Sequence, residues 1–284
     1  MTELQEVEFQ LLKTFVEFCE KHNLKYFLVG GSALGAVRHQ GFIPWDDDVD
    51  VALPREDYDR FIELGKKEFT GDIFLQTYET DPNYPYNFAK LRNSNTTYVE
   101  ATYCFTQMNH GIWIDIFPLD GVSKKSGKVS FAMKYKLFRV WFRMWLIYPR
   151  CATRRPRKWW WPLDILLDIF MYPNYVWNIN HHMNKRIDRI MKKKKYDECY
   201  YVANLQGAWF GREIIKRELF GEGSKAMFEG MEVMIPEKYD EFLTAIYGDY
   251  MKLPPENKRC AKHHTKGADV HMSYKDYKKN YKKW

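Results

Sequence analysis

The chain has 284 residues, 45% of them hydrophobic and 17% aromatic, with a net charge of +7, which suits one large domain or a domain carrying an insertion. Five cysteines (Cys19, Cys104, Cys151, Cys199 and Cys260) without a CxxC pair argue against a disulfide scaffold and for reduced thiols in a cytoplasmic setting. The acidic, amphipathic start is not that of a signal peptide, and no run approaches 18 apolar residues, which argues against a transmembrane span.

In chain order, residues 2–22 are predicted to form a helix. Thr2 and Gln5 suit a capping box, and Leu4, Val7, Leu11, Leu12, Phe15, Val16 and Cys19 recur at helical spacing. Residues 26–29 predict a buried strand that stops at Gly30-Gly31, with Ser32 as N-cap of a short helix over 33–37. Glycines let the backbone approach a ligand, and a helix N-terminus offers free N–H groups, a combination suited to phosphate. Asp46, Asp47, Asp48 and Asp50 follow. In a strand Asp48 and Asp50 share a face, with Cα atoms roughly 6–7 Å apart, while Val49 and Val51 turn to the core. Four carboxylates so close repel one another unless cations or protons offset them. Oxygen-only ligands suit Mg²⁺ or Mn²⁺, with phosphate oxygens completing the shell.

Pro54 predicts the opening of a helix reaching about residue 69, closed by Gly71, with Tyr58, Phe61, Ile62 and Phe69 as its buried stripe. Residues 73–78 and 87–92 predict strands around a Pro-containing loop. Lys90 and Arg92 share one face of the second, either as a solvated face or as a binding pair. In the strand over 111–119, Ile112, Ile114 and Ile116 alternate with Trp113, Asp115 and Phe117. An aspartate in so apolar a strand is costly unless paired or metal-bound.

Residues 124–195 change character. They carry 19 Lys/Arg against Asp164, Asp168 and Asp188, a local +16 that leaves −9 for the remainder. Trp159, Trp160 and Trp161 lie among Arg154, Arg155, Arg157 and Lys158. Basic and aromatic residues together suit a helix on an anionic bilayer. Nucleic acid is the rival, without a recognised motif, and an insertion with a solvated basic face is the bland alternative. Beyond it, residues 236–247 predict a helix burying Tyr239, Phe242, Leu243 and Ile246, with Gly248 after its end. Lys258, Arg259, His263 and His264 follow. Cys260 with the two histidines lacks the second cysteine that a zinc site would want. Residues 274–284 predict a frayed tail.

Gly-Gly-Ser followed by Asp-apolar-Asp-apolar resembles the signature of the nucleotidyltransferase superfamily. The longer run GGSALGAVRHQGFIPWDDDVDV, with FAKLRNSNTTYVE, GIWIDIFPLDGV and YGDYMKLPP, resembles the LicD family of phosphotransferases, whose eukaryotic relatives include fukutin and fukutin-related protein. The resemblance is dense over residues 1–122 and returns near the C-terminus.

The resemblance implies an α/β (α+β) fold, a nucleotidyltransferase-like mixed sheet flanked by helices. Residues 1–122 would be the catalytic core, 123–195 a basic helical insertion, and 196–284 a C-terminal part packed on the core. It implies transfer of phosphocholine, or a similar phospho-alcohol, from a CDP-activated donor to a hydroxyl of a glycan, with CMP released. The acceptor would be lipid-linked, as in teichoic acid or lipopolysaccharide precursors, and the enzyme cytoplasmic, with a possible place on the inner membrane face. Asp46, Asp48, Asp50 and Asp115 would hold one or two Mg²⁺ (or Mn²⁺), with Asp120 as a weaker neighbour. Asp48, Asp50 and Asp115 would be catalytic, Asp115 being the first choice to accept the acceptor's proton. Gly31, Ser32, Arg38, Lys90 and Arg92 would bind phosphates, and an aromatic such as Trp45 could meet a choline ammonium. Two alternatives stay open: transfer of a whole nucleotide, and a non-catalytic membrane adaptor.

Overall fold

A computed structural model describes residues 1–104, 106–123, 134–135, 137–139, 142, 179–207, 213–261 and 263–280. The capping box opens α1 (Glu3–Lys21): the Gln5 N–H donates to Thr2 Oγ1 at 3.2 Å, and the Thr2 N–H to Gln5 Oε1 at 2.9 Å. This satisfies two of the donors that every helix start leaves free. The buried side of α1 carries Leu11, Leu12, Phe15 and Cys19, as the spacing predicts, and also Gln5 and Glu8.

The chain then runs through β1 (Phe27–Leu28), α2 (Gly30–His39), β2 (Asp50–Pro54), α3 (Arg55–Glu68), β3 (Ile73–Gln76), β4 (Ala89–Asn93), β5 (Thr97–Glu100) and β6 (Ile112–Ser123). After α4 (Ile179–Met191) come β7 (Tyr201–Ala203), β8 (Ile214–Lys216), β9 (Ser224–Phe228), β10 (Met231–Ile235), α5 (Tyr239–Tyr247), β11 (Thr265–Asp269) and α6 (Tyr274–Asn280). The main sheet has the order β1-β2-β6-β4-β3, and β7 and β8 extend it from the far end of β6. β2 and β6 are parallel; the other pairs of this sheet are antiparallel. The result is the mixed α/β sheet with flanking helices that the sequence predicts. β6 is long because its apolar face, Ile112, Ile114 and Ile116, is wholly buried, with Trp113 and Phe117 nearly so on the other side. The C-terminal third packs on the same core through ring contacts of Phe27 with Phe220 and of Phe42 with Phe228.

Several elements depart from expectation. The first strand shrinks to two residues, because α2 starts at Gly30 rather than after Ser32. Val29 holds the N-cap position without a side-chain bond, and the Ser32 hydroxyl instead accepts the Asp50 N–H at 2.8 Å. Asp48 lies just before β2 rather than within it, although Val49 and Val51 are buried on either side of Asp50 as alternation requires. α3 ends at Glu68, close to the expected position, but Phe69 rather than Gly71 is its C-cap. Tyr239 stays 38% exposed because it opens α5 on the solvent side. The supposed frayed tail contains α6, preceded by β11 paired antiparallel with β5. The Ser273 hydroxyl donates to the Ser94 carbonyl and the Tyr274 N–H to the Thr96 carbonyl, so the start of α6 is tied down. Trp159–Trp161 and nearly all of 124–178 lie outside the described residues. No helix among the described residues is long and apolar enough to cross a membrane.

Candidate active site

Two glycines at the start of α2 set the wall of the site. Gly30 has φ +57°, and a Cβ there would fall 2.7 Å from Asp50 Oδ2; at Gly31 it would fall 2.5 Å from Asp46 Oδ2. Only glycine lets the helix start come this close to two carboxylates. The turn leading to Asp46 is fixed from below by Gln5, whose amide donates to the Asp46 carbonyl at 3.0 Å. The Ser32 hydroxyl then fixes the start of β2.

The sheet register does the rest. Asp50 on β2 is the direct partner of Asp115 on β6, and Asp115 is the partner of Lys90 on β4. Neighbouring strands are about 4.8 Å apart, so an aspartate, an aspartate and a lysine stand side by side. Lys90 Nζ lies 3.2 Å from Asp115 Oδ1, 3.8 Å from Glu100 Oε2 and 3.8 Å from the centre of the Trp113 ring. Asp46, Asp48, Asp50, Asp115, Glu100, Lys90, Gly31 and His263 all line one cavity of about 770 Å³, with Tyr86, Phe88 and Tyr247 among its aromatic walls.

The wall is electrostatically unfinished. Burial, together with Asp46, Asp115 and Asp47, pushes the Asp48 carboxyl up to about 7, although His263 acts against the rise. Burial and the charges of Asp48, Asp115 and Asp46 hold Asp50 well above the carboxylate range. Asp115 Oδ1 is buried and takes no hydrogen bond among the described residues. Below the wall, buried Glu8 on α1 is also raised, by burial first and then by Asp48 and Asp47. Such clustering suits a cation that is absent from the side chains themselves. Asp46, Asp47 and Asp48 each bring an oxygen within 4.8 Å of the others. Asp47, however, points to Tyr98 and His263, so the oxygens facing the cavity belong to Asp46, Asp48, Asp50 and Asp115.

Several expected residues do not line the cavity, Ser32 among them. Asp120 is no part of the wall: Arg55 donates to both of its oxygens, at 2.7 and 2.6 Å, in a fully buried pair. The Arg92 guanidinium is fully buried on Gln76, Gly111 and Glu100, and Arg38 donates to the Tyr250 carbonyl at 2.7 Å; neither lines the cavity. Trp45 is also off the cavity wall, with Arg259 over its ring at 5.5 Å. Sequence reasoning passed over Glu8, Glu100 and the Asp47–His263 contact. Glu8 had a signal, a charged residue on the apolar stripe of α1. The Asp47–His263 contact joins residues 216 apart and had none.

A mixed α/β sheet with a glycine-rich helix start and carboxylates on adjacent strands defines a nucleotidyltransferase-type site for phosphoryl chemistry. Residues 23–163 match the LicD/FKTN/FKRP nucleotidyltransferase domain. The chain is 30% identical over 270 residues to the lipopolysaccharide cholinephosphotransferase LicD of Haemophilus influenzae, covering 93% of this chain and 96% of that protein. Shorter matches include human ribitol 5-phosphate transferase FKRP, 53% identical over 38 residues, which is 13% of this chain and 8% of that protein. An uncharacterized protein of Rickettsia typhi is 46% identical over 56 residues, 20% of this chain and 18% of its own. The chain therefore belongs to the LicD family of phosphotransferases.

Proposed function

We propose that this enzyme transfers phosphocholine, or a closely related phospho-alcohol, from a CDP-activated donor to a hydroxyl of a cell-surface glycan precursor. The observation that carries the reading is the register of Asp50 beside Asp115, with Asp46 and Asp48 in the same wall. The full-length likeness to a cholinephosphotransferase supports the head group. Asp46, Asp48, Asp50 and Asp115 would hold Mg²⁺ or Mn²⁺. The donor set is all oxygen, it carries more carboxylates than the one lysine beside it can offset, and two carboxyls are held above their usual range, which fits a hard divalent cation. When bound, the cation supplies charge neutralisation of the donor diphosphate.

The protein groups divide the remaining work. Gly31 and Ser32 offer backbone N–H groups at the start of α2, and Lys90 offers a buried ammonium to phosphate oxygens. The acceptor oxygen attacks the phosphorus that carries the alcohol, and a new P–O bond forms. The anhydride P–O bond breaks, and its electron pair leaves on CMP. The acceptor proton passes to a carboxylate of the wall, assigned here to Asp115.

The test is incubation with Mg²⁺, a glycan acceptor and a panel of CDP-alcohols. CDP-choline or a close analogue should yield CMP and an acceptor heavier by the phospho-alcohol, without cytidine. No CMP from any CDP-alcohol, with pyrophosphate released from an NTP and a nucleotide on the acceptor, would replace this reading with nucleotidyl transfer.

A further inference from the structure

The cavity has two kinds of wall. Carboxylates with Lys90 make one, and aromatic rings make the other. Tyr86, Phe88 and Lys90, on the run into and along β4, all line the cavity, and so does Tyr103 from the helical turn Ala101–Tyr103 that follows β5. The Tyr86 ring stacks on Phe88, with centroids 4.8 Å apart and planes at 27°. It meets the Tyr103 ring at 5.6 Å and 83°. Phe117 packs against Phe88 at 4.5 Å. Tyr86 and Tyr103 are also joined by a side-chain hydrogen bond. Two rings at right angles, one propped by a stacked neighbour, make a fixed aromatic corner beside Lys90.

Such a corner suits a cation without an N–H to donate. A quaternary ammonium is held by ring faces within about 6 Å of a centroid, through the attraction of its charge to the ring quadrupole. A polyol would instead want hydrogen-bond partners, and Tyr86 spends its one hydroxyl proton on Tyr103. The surrounding charge agrees, because Glu100 and Glu213, neither of them in the metal set, line the same cavity. The reach agrees as well. Lys90 Nζ stands 5.7 Å from the centre of the Tyr86 ring and 5.8 Å from that of Phe88. A phosphate held at Lys90 therefore brings a short amino-alcohol chain to these rings. Lys90 itself sits closer to Trp113, at 3.8 Å, and Trp113 is not on the cavity wall. Trp45, the aromatic expected for this task, is not on it either.

We propose that Tyr86 and Tyr103 are specificity-determining residues for the donor head group: their ring faces bind its quaternary ammonium, and Phe88 keeps the Tyr86 ring in place. The inference rests on the CDP-donor reading above and says which residues choose the alcohol.

The test is calorimetric binding, with Mg²⁺ and no acceptor, of CDP, of CDP-choline and of its neutral isostere in which carbon replaces the choline nitrogen. Wild type should prefer CDP-choline to the isostere at least about fivefold, the scale of a partly desolvated cation–π contact. Tyr86→Leu and Tyr103→Leu should each erase most of that preference and leave CDP binding unchanged. Tyr86→Phe, which keeps the ring and drops the hydroxyl, should retain it. In the wild-type complex the N-methyl protons should move upfield and show nuclear Overhauser contacts to tyrosine ring protons, a readout that does not depend on a variant folding. If wild type binds CDP-choline and the isostere equally, if the leucine variants keep the preference, or if the methyl protons show no tyrosine contact, the aromatic corner is overturned while the donor reading stands. If wild type binds neither CDP nor CDP-choline, the donor reading fails and takes this inference with it.

Discussion

Asp115 and Asp120 stand five positions apart on β6, both buried, and they live in opposite surroundings. Asp120 is closed off by Arg55, which grips both of its oxygens and also reaches Asp188 at 3.1 Å and Asp59 at 3.6 Å. This cluster ties α3 and α4 to the sheet and leaves no carboxylate oxygen of Asp120 without its arginine. Asp115 faces Asp50 across a parallel pair and has Lys90 at 3.2 Å, yet its Oδ1 takes no hydrogen bond among the described residues. The same residue type on the same strand is thus closed off where an arginine grips both oxygens, and open to the cavity where Lys90 is its cationic neighbour in a crowded acidic wall. Four carboxylates sharing one lysine are a surplus of buried negative charge, which is costly unless a further cation or protons offset it.

Breaking each region should give a different signature. The largest effect is expected at the open wall. Asp48→Asn or Asp50→Asn should cut transfer at least a hundredfold, the scale of losing a group that acts on developing charge. Neither should lower the melting temperature of the metal-free protein, because each removes a repelled charge. Activity that survives thorough EDTA treatment, or full turnover by either variant, would remove the metal from the proposal. The closed cluster should behave in reverse. Arg55→Ala leaves Asp120 buried and unpaired, and should cost about 3–5 kcal/mol in denaturant unfolding. A loss under about 1 kcal/mol would show that the cluster holds nothing together.

A third effect comes from protons. The Asp48 carboxyl stands at about 7 in the folded chain, against an ordinary value of about 3.9. Between these limits the unfolded chain gives up a proton that the folded chain keeps, so this contribution to stability falls as pH rises from about 4 to 7. His263, raised to about 9 chiefly by its bond to Asp47, acts in the same direction at higher pH. In EDTA, the melting temperature of wild type relative to Asp48→Asn should therefore fall as pH rises, and stabilisation by Mg²⁺ should grow. A relative melting temperature that climbs with pH would contradict the crowded-carboxylate picture.

The smallest effect concerns the basic insertion. Phe138 and Phe142 are exposed, with rings stacked 5.9 Å apart, in a stretch rich in Lys/Arg. Segment 131–172 should carry the protein onto anionic vesicles at low salt, and binding should weaken as salt screens the attraction. Protein that remains in the supernatant at low salt would leave the insertion without a membrane role.

The elements that position the wall were legible where local rules governed them. The Thr2–Gln5 capping box, the alternation about Asp50 and the apolar face of β6 all follow from helical or strand periodicity. Gly30 and Gly31 announced a close approach, though of carboxylates as well as of any ligand. Long-range pairing was not legible. Asp120 resembles Asp115 until α3 brings Arg55 beneath it. Arg92 shares a strand with Lys90, but Gln76 and Gly111 claim its guanidinium. His263 is brought to the cavity by the pairing of β11 with β5, and no local pattern in residues 263–269 encodes that partner.

The contrast between the two aspartates of β6 is tested most directly by Mn²⁺ binding, followed by electron paramagnetic resonance at a temperature where circular dichroism shows every variant folded. Wild type and Asp120→Asn should bind Mn²⁺ alike, and Asp115→Asn should bind it at least tenfold more weakly. Equal binding by Asp115→Asn and wild type, or no binding by wild type at millimolar Mn²⁺, would contradict the assignment of the open wall as the metal site.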